Sequence, residues 1–276
     1  MNDVEYVFVK KRIRELTKVD LDNYGVNQMK RRLESFISRT KSPTLAEYFK
    51  LLEEDAKQLE KLRDFLTINV SEFFRDLPHF AILQDIVLPE LLKRNKTLNI
   101  WSAGCSNGGE PYSVAMILDM LTPGVNHRIL ATDIDTAILA LAGTGGAYHA
   151  NDIRNVPKFM ALKYFTCKNG DYYVNDNIRK KVTFRQHDMT RDAFETVFDL
   201  IMCRNVVIYF SDEAKKILKK HFYDSLKNAG VLFIGGTETM LDAANIGFQR
   251  LYPCFYRKTE SALEKSVPPI ASNWRL

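Results

Sequence analysis

No run of about 18 apolar residues occurs in the 276-residue chain, so a membrane-spanning helix is not among its organising elements. The opening residues, MNDVEYVFVKKRIRE, interleave acids and bases where a secretory leader needs an unbroken apolar stretch, and a cytoplasmic protein without membrane insertion is expected. Cysteine is scarce. Cys105, Cys167, Cys203 and Cys254 lie far apart and none belongs to a C-x-x-C pair, so neither a zinc site nor a disulfide framework is expected, and the thiols read as reduced and mostly buried. The five histidines, His79, His127, His149, His187 and His221, show no ligand spacing, and nothing here requires a metal. The basic excess is modest, +5 with a pI near 8.9, and lacks the clustered bases and interleaved aromatics of a nucleic-acid surface. Nothing in the sequence points to an oligomer, so a monomer is expected.

At 46% hydrophobic and 26% charged residues, the chain can bury a full core, and its length favours one large domain plus a small one. Glycine almost vanishes from residues 1–66, where Gly25 stands alone, and this stretch reads as wholly helical. Met29, Leu33, Phe36 and Ile37 recur at helical spacing, which sets Arg32, Ser35 and Arg39 together on another face, with Asn27 as the expected N-cap. Ser42-Pro43-Thr44, with Glu47 three residues past Thr44, predicts a second helix start; Leu45, Phe49 and Leu52 form its stripe, and Leu59, Leu62 and Leu66 extend the pattern into a further helix.

From about Leu98 the texture changes to short apolar runs separated by helical segments, the pattern of a parallel sheet with crossover helices. Strands are predicted at Leu98–Trp101, Arg128–Thr132, Val182–Gln186, Phe198–Cys203 and Gly230–Gly235. Between Gly143 and His187 the alternation lapses into two aromatic runs around the turn signal Asn169-Gly170-Asp171, which predicts a small antiparallel insertion. The residues around Pro268-Pro269 lack periodicity and read as a loose tail.

The chemistry concentrates at strand ends, where open α/β sheets hold ligands. LNIWSAGCSNGGEPYS, residues 98–113, runs from an apolar strand through Gly104, Gly108 and Gly109 into a helix start that continues through Tyr112–Met120. Its spacing departs from G-x-G-x-x-G, and Glu110 would repel a pyrophosphate but suits the ammonium group or ribose hydroxyls of S-adenosylmethionine. Asp133, ending the second strand in Ala131-Thr132-Asp133-Ile134-Asp135, can accept from both ribose hydroxyls; Asp135 reads equally well as a helix N-cap. Asp188, past the third strand, can accept from an adenine amino group; it reads almost as well as a solvent-facing turn acid. Arg204-Asn205 follows the fourth strand, and Thr67–Arg75 brings Phe73-Phe74-Arg75 where a plain linker would rarely carry them.

Four motifs, TINVSEFFR (67–75), WSAGCSNGGEPYS (101–113), ATDID (131–135) and CRNVVIYF (203–210), occur in the order found in the CheR-type chemotaxis methyltransferases, which the chain resembles over nearly its whole length. The resemblance implies a helical N-terminal domain (1–66) for receptor recognition, a linker and connecting helix (67–90), and a Rossmann-like α/β methyltransferase domain (91–260). That domain would carry a small antiparallel β-subdomain at about 150–186 and be followed by a C-terminal tail (261–276). It further implies methylation of receptor glutamates by S-adenosylmethionine, with S-adenosylhomocysteine as product. Asn69, Ser71, Arg75, Glu110, Asp133, Asp188, Met189, Arg204 and Asn205 would line the cofactor site, with Arg75 and Tyr209 nearest the transferring methyl group. Lys30, Arg31, Arg32 and Arg39 would meet acidic helical segments of methyl-accepting chemotaxis receptors. Ser71 stands where the family often has threonine, and Gly109 where it often has a glutamate before Glu110. Two other readings are a non-catalytic sensor of the same cofactor, disfavoured by Arg75, Asn205 and Tyr209, and a nicotinamide-dependent oxidoreductase, disfavoured by the glycine spacing and Glu110.

Overall fold

The computed structural model describes residues 1–40, 42, 44–67 and 71–259. Four helices fill the N-terminal region: α1 (Asp3–Thr17), α2 (Val26–Ile37), α3 (Leu45–Glu54) and α4 (Ala56–Thr67). Reciprocal bonds between Asn2 and Glu5, 2.7 and 2.9 Å, cap α1, and Thr44 caps α3 by accepting from the Glu47 N–H, as the Thr44/Glu47 spacing predicts. The apolar stripes meet in a core of their own around Val9, Ile13, Leu33, Phe49 and Leu62. Each fully buried aliphatic side chain there contributes about 1.5–3 kcal/mol relative to exposure.

The wholly helical expectation fails between Lys18 and Gly25. Lys18 ends α1 in the left-handed region (φ 66°), a 3-10 turn spans Leu21–Asn23, and Tyr24 forms an antiparallel bridge with Phe210. Asn27 is not the cap of α2 either. That helix starts at Val26, and the cap position falls to Gly25, which has no side chain to cap with and whose N–H donates to the Tyr209 carbonyl, 3.0 Å away.

Three elements, α5 (Leu77–Ile82), a π-helical turn (Leu83–Val87) and α6 (Leu88–Arg94), connect to an alternating α/β region. This region runs β1 (Asn99–Ala103), α7 (Gly109–Leu121), β2 (Arg128–Asp133), α8 (Thr136–Gly143), α9 (Lys158–Tyr164), β3 (Phe165–Lys168) and β4 (Asp171–Val174). It continues with α10 (Asp176–Arg179), β5 (Val182–Gln186), β6 (Phe198–Cys203), α11 (Asp212–Ser225), β7 (Leu226–Ile234), α12 (Ala243–Ile246), β8 (Phe248–Tyr252) and β9 (Phe255–Lys258). The large sheet has the order β5-β2-β1-β6-β7-β9-β8, parallel from β5 to β7 and antiparallel beyond. Strand order reverses at β1, so a crevice opens between the carboxyl ends of β1 and β6.

All five predicted strands exist, although β7 begins at Leu226 rather than Gly230. The antiparallel strands β8, at the sheet edge, and β9, between it and β7, were not expected, because each is short and partly exposed and so gives no continuous apolar run. Asn169 (φ 54°) and Gly170 (φ 89°) make the tight turn of the β3–β4 hairpin, both in the left-handed region that such a turn demands. The expected subdomain bounds of 150–186 take in β5, which pairs with β2 in the main sheet; the separate antiparallel sheet is confined to residues 165–174. Among the described residues, no helix is long and apolar enough to cross a membrane. The predicted tail, 261–276, lies outside the described residues.

Candidate active site

The turn after β1 bends back on the sheet. The N–H groups of Gly104 and Cys105 both reach the Thr132 carbonyl at the end of β2, 2.8 and 2.9 Å away. Gly104 sits at φ +78°, and a Cβ there would lie 2.6 Å from Val206 Cγ2, so a glycine is required on both counts. Gly109, opening α7, lets the chain after α4 pass close by: a Cβ would meet the backbone of Glu72 and Phe73 at 3.0–3.1 Å.

That crossing segment, Ser71–Asp76, is pinned along its length. Asn107 Nδ2 donates to the Ser71 carbonyl (3.1 Å), the Phe73 N–H to the Asp152 carbonyl (2.9 Å) and the Phe74 N–H to Ser113 Oγ (3.0 Å). Glu72 takes a two-pronged bond from Arg154, and the fully buried Phe73 ring packs on Tyr148 and Phe165. Phe74 (φ 52°) and Asp76 (φ 62°) flank Arg75 in the left-handed region, a strained course that such anchors sustain.

Beneath Arg75 lies a buried charge cluster. The Arg204 guanidinium, stacked against Phe80 and Phe233, donates to Asp76 (2.8 Å), to the Arg75 carbonyl (2.9 Å) and to Glu110 (3.3 Å). Glu110 also accepts from Ser102 Oγ (2.7 Å). Both charges have left water, and each is compensated by the other and by neutral donors or acceptors. Asp133 accepts from the N–H groups of Ser106 (2.9 Å) and Asp135 (3.1 Å); burial pushes its carboxyl above the usual range, and those N–H bonds pull it part of the way back. Asp135 does cap α8, accepting from Ala137 and Ile138. Asp188 accepts from the backbone N–H and the hydroxyl of Thr190.

One cleft joins these groups. Ser71, Arg75, Glu110, Asp133, Asp188, Met189, Arg204, Asn205 and Tyr209 all line it. Asn69 lies outside the described residues. The basic residues of α2 and of the turn that follows it divide. Arg31 and Arg39 are exposed, and Lys30 pairs with Asp3 over the Tyr6 ring. Arg32 turns inward, donating to the Phe65 carbonyl (2.7 Å) and lying over the Phe65 and Tyr209 rings. Successive helical residues point about 100° apart, so a run of bases cannot share one face.

Further residues line the cleft that the sequence reading did not assign to it: Val19, Asp20, Tyr24 and Thr67 of the helical region, and Ser106 and His187 of the sheet region. Ser106 and His187 adjoin predicted strand ends and were findable on that ground. Buried atoms without a protein partner mark Ser106 Oγ, His187 Nδ1, Arg204 Nε and Asn205 Oδ1, all on residues of the cleft. Donors and acceptors thus remain unsatisfied where a polar ligand would meet them. The carboxylates of Asp20, Glu110, Asp133 and Asp188 against the guanidinium of Arg75 suit a ligand with an amino-acid group and a nucleoside but no phosphate.

The family model described as the CheR methyltransferase SAM-binding domain matches residues 69–251, and that of the CheR methyltransferase all-alpha domain matches residues 5–67. The chain is 40% identical over 256 residues to a chemotaxis protein methyltransferase of Listeria innocua serovar 6a, covering 92% of this chain and 97% of that protein. It is 34% identical over 270 residues to one of Borreliella burgdorferi, covering 90% and 94%. The β1 turn, the pinned segment before α5 and the Arg204–Tyr209 turn are the pieces the four motifs encode, and with both domains matched in order the chain belongs to the CheR methyltransferase family, with S-adenosylmethionine as its cofactor.

Proposed function

We propose that the chain esterifies glutamate side chains on helical cytoplasmic segments of chemotaxis receptors. The observation that carries this reading is the convergence of Arg75, from the pinned segment, and Tyr209, from the 3-10 turn Val207–Tyr209, on the cleft that holds Glu110 and Asp133. Methylation in chemotaxis is the activity of the family, and the cationic Arg75 lining the cleft supports a carboxylate as the acceptor.

When bound, the cofactor supplies an electrophilic methyl group on a sulfonium. A glutamate carboxylate has a reference pKa of about 4.3, so at neutral pH the acceptor is already an ionised nucleophile and needs no strong base. The work left to the protein is alignment and exclusion of water. Glu110 and Asp133 hold the cofactor by its ammonium group and ribose hydroxyls, and Asp188 takes the adenine amino group. Arg204 is committed to Glu110 and Asp76, and so sets the wall rather than meeting the acceptor. Arg75 positions the acceptor carboxylate. A tight pair from its guanidinium to the attacking oxygen would damp nucleophilicity, so the contact falls on the other oxygen, together with the Tyr209 hydroxyl.

The test incubates the protein with methyl-labelled S-adenosylmethionine and receptor cytoplasmic fragments, then applies mild base. Release of the label as methanol is expected for carboxyl esters; label that survives base would sink the reading.

A further inference from the structure

The helical domain contributes more than a docking face. Tyr24 is the described residue that packs against both hydrophobic cores, that of the helices and that of the sheet. Its neighbours hold it from both sides: the Asn23 carbonyl accepts from the Ser211 N–H (2.7 Å), and the Gly25 N–H donates to the Tyr209 carbonyl (3.0 Å). The ring stacks obliquely on Phe210, centroids 5.2 Å apart. So fixed, Tyr24 borders the same cleft as Asp133 and Asp188.

We propose that Tyr24 completes the adenosine end of the cofactor site from the helical domain, its hydroxyl donating a hydrogen bond to the bound nucleoside. This rests on the reading that Asp133 and Asp188 face the adenosine. Carboxylates only accept, whereas a nucleoside presents acceptors as well, in its ring nitrogens and ribose oxygens. Tyr24 supplies such a donor from the helical side of the cleft. Burial, reinforced by the negative charges of Asp188 and Asp133 and opposed by Arg32, pushes its hydroxyl up to about 12, so it stays protonated and able to donate throughout the physiological range. Because the same residue ties the helical domain to the Tyr209–Ser211 segment, cofactor occupancy and docking of that domain become linked.

The experiment titrates S-adenosylhomocysteine by calorimetry into the full chain, Tyr24→Phe and Asp133→Asn, and follows amide exchange at Gly25 and Ser211 without ligand. Tyr24→Phe keeps the ring on Phe210; its affinity should fall about fivefold, the value of one net hydrogen bond, with exchange unchanged. Affinity equal to the parent's overturns the proposal. So does a weakening accompanied by faster exchange at both amides, which would place the loss in domain docking. Asp133→Asn separates this inference from its basis: parental binding by that variant means the adenosine lies elsewhere, whereas weakened binding there with none in Tyr24→Phe removes Tyr24 alone.

Discussion

Two walls of one cleft are built by opposite means. The wall at the ends of β1, β2 and β6 is continuous with the main core: Ser102, Glu110, Thr132 and Arg204 are buried, and their partners lie on neighbouring strands, on α7 and on the pinned segment before α5. The wall from the helical domain has a core of its own and reaches the cleft through few contacts, chiefly the Tyr24–Phe210 bridge, an Asp20–Arg191 pair at 2.7 Å and a Thr67–Asp135 bond at 3.2 Å. The first wall cannot change without unsettling the fold. The second can be altered, or can part, at a cost set by a handful of polar contacts.

Arg204→Ala should give the largest effect on this contrast. It strands Glu110 in a buried site and unlinks Asp76, a loss of about 3–5 kcal/mol, or a fall in Tm on the order of 10 °C, with cofactor binding abolished. A melt within a degree or two of the parent's would mean that the sheet-end wall is not built on this ion cluster. Gly104→Ala comes next, at about 2–4 kcal/mol, because the left-handed backbone is strained for alanine and its methyl group meets Val206. Chemical denaturation reads this as a shifted midpoint with an unchanged slope.

A smaller and reversible change is expected from acid. A carboxylate that accepts ribose hydroxyls must be ionised, so affinity for S-adenosylhomocysteine is full above the raised pKa of Asp133 and falls as pH drops through it. Calorimetry against pH should show that limb, and Asp133→Asn should flatten it. The smallest effects belong to the outer face of the helical domain. Arg31→Ala and Arg39→Ala should each lower kcat/KM on receptor fragments by roughly two- to fivefold, an effect that fades with added salt, while cofactor affinity stays put. Arg32→Ala, despite its place in the same run, should instead lower thermal stability at any salt concentration, since its guanidinium lies over Phe65 and Tyr209.

Legibility differed between the walls for the same reason. At the sheet ends, an apolar strand followed by glycines or an acid is a local signal, and Glu110, Asp133, Asp188 and Arg204-Asn205 each sit within a few residues of one. Phe73-Phe74-Arg75 stood out as unlike a plain linker, but the place of Arg75 at the site came only through the motif resemblance, because no local pattern reveals a segment whose course is dictated by Asn107, Asp152 and Ser113. Tyr24 and Asp20 were invisible: they interrupt a helical stretch with a short 3-10 turn, and their partners lie far along the chain at Phe210 and Arg191.

The sequence alone determined the two-part organisation, the parallel strands, the hairpin turn at Asn169-Gly170 and the carboxylates suited to a nucleoside without phosphate, since periodicity, glycine placement and charge are properties of short segments. Only the tertiary structure decided which bases of α2 face outward, how Arg204 ties Arg75, Asp76 and Glu110 together, and that the helical domain closes the cleft. Those outcomes depend on contacts between residues far apart in the chain, which pay no heed to local pattern and are settled when separate faces bury one another.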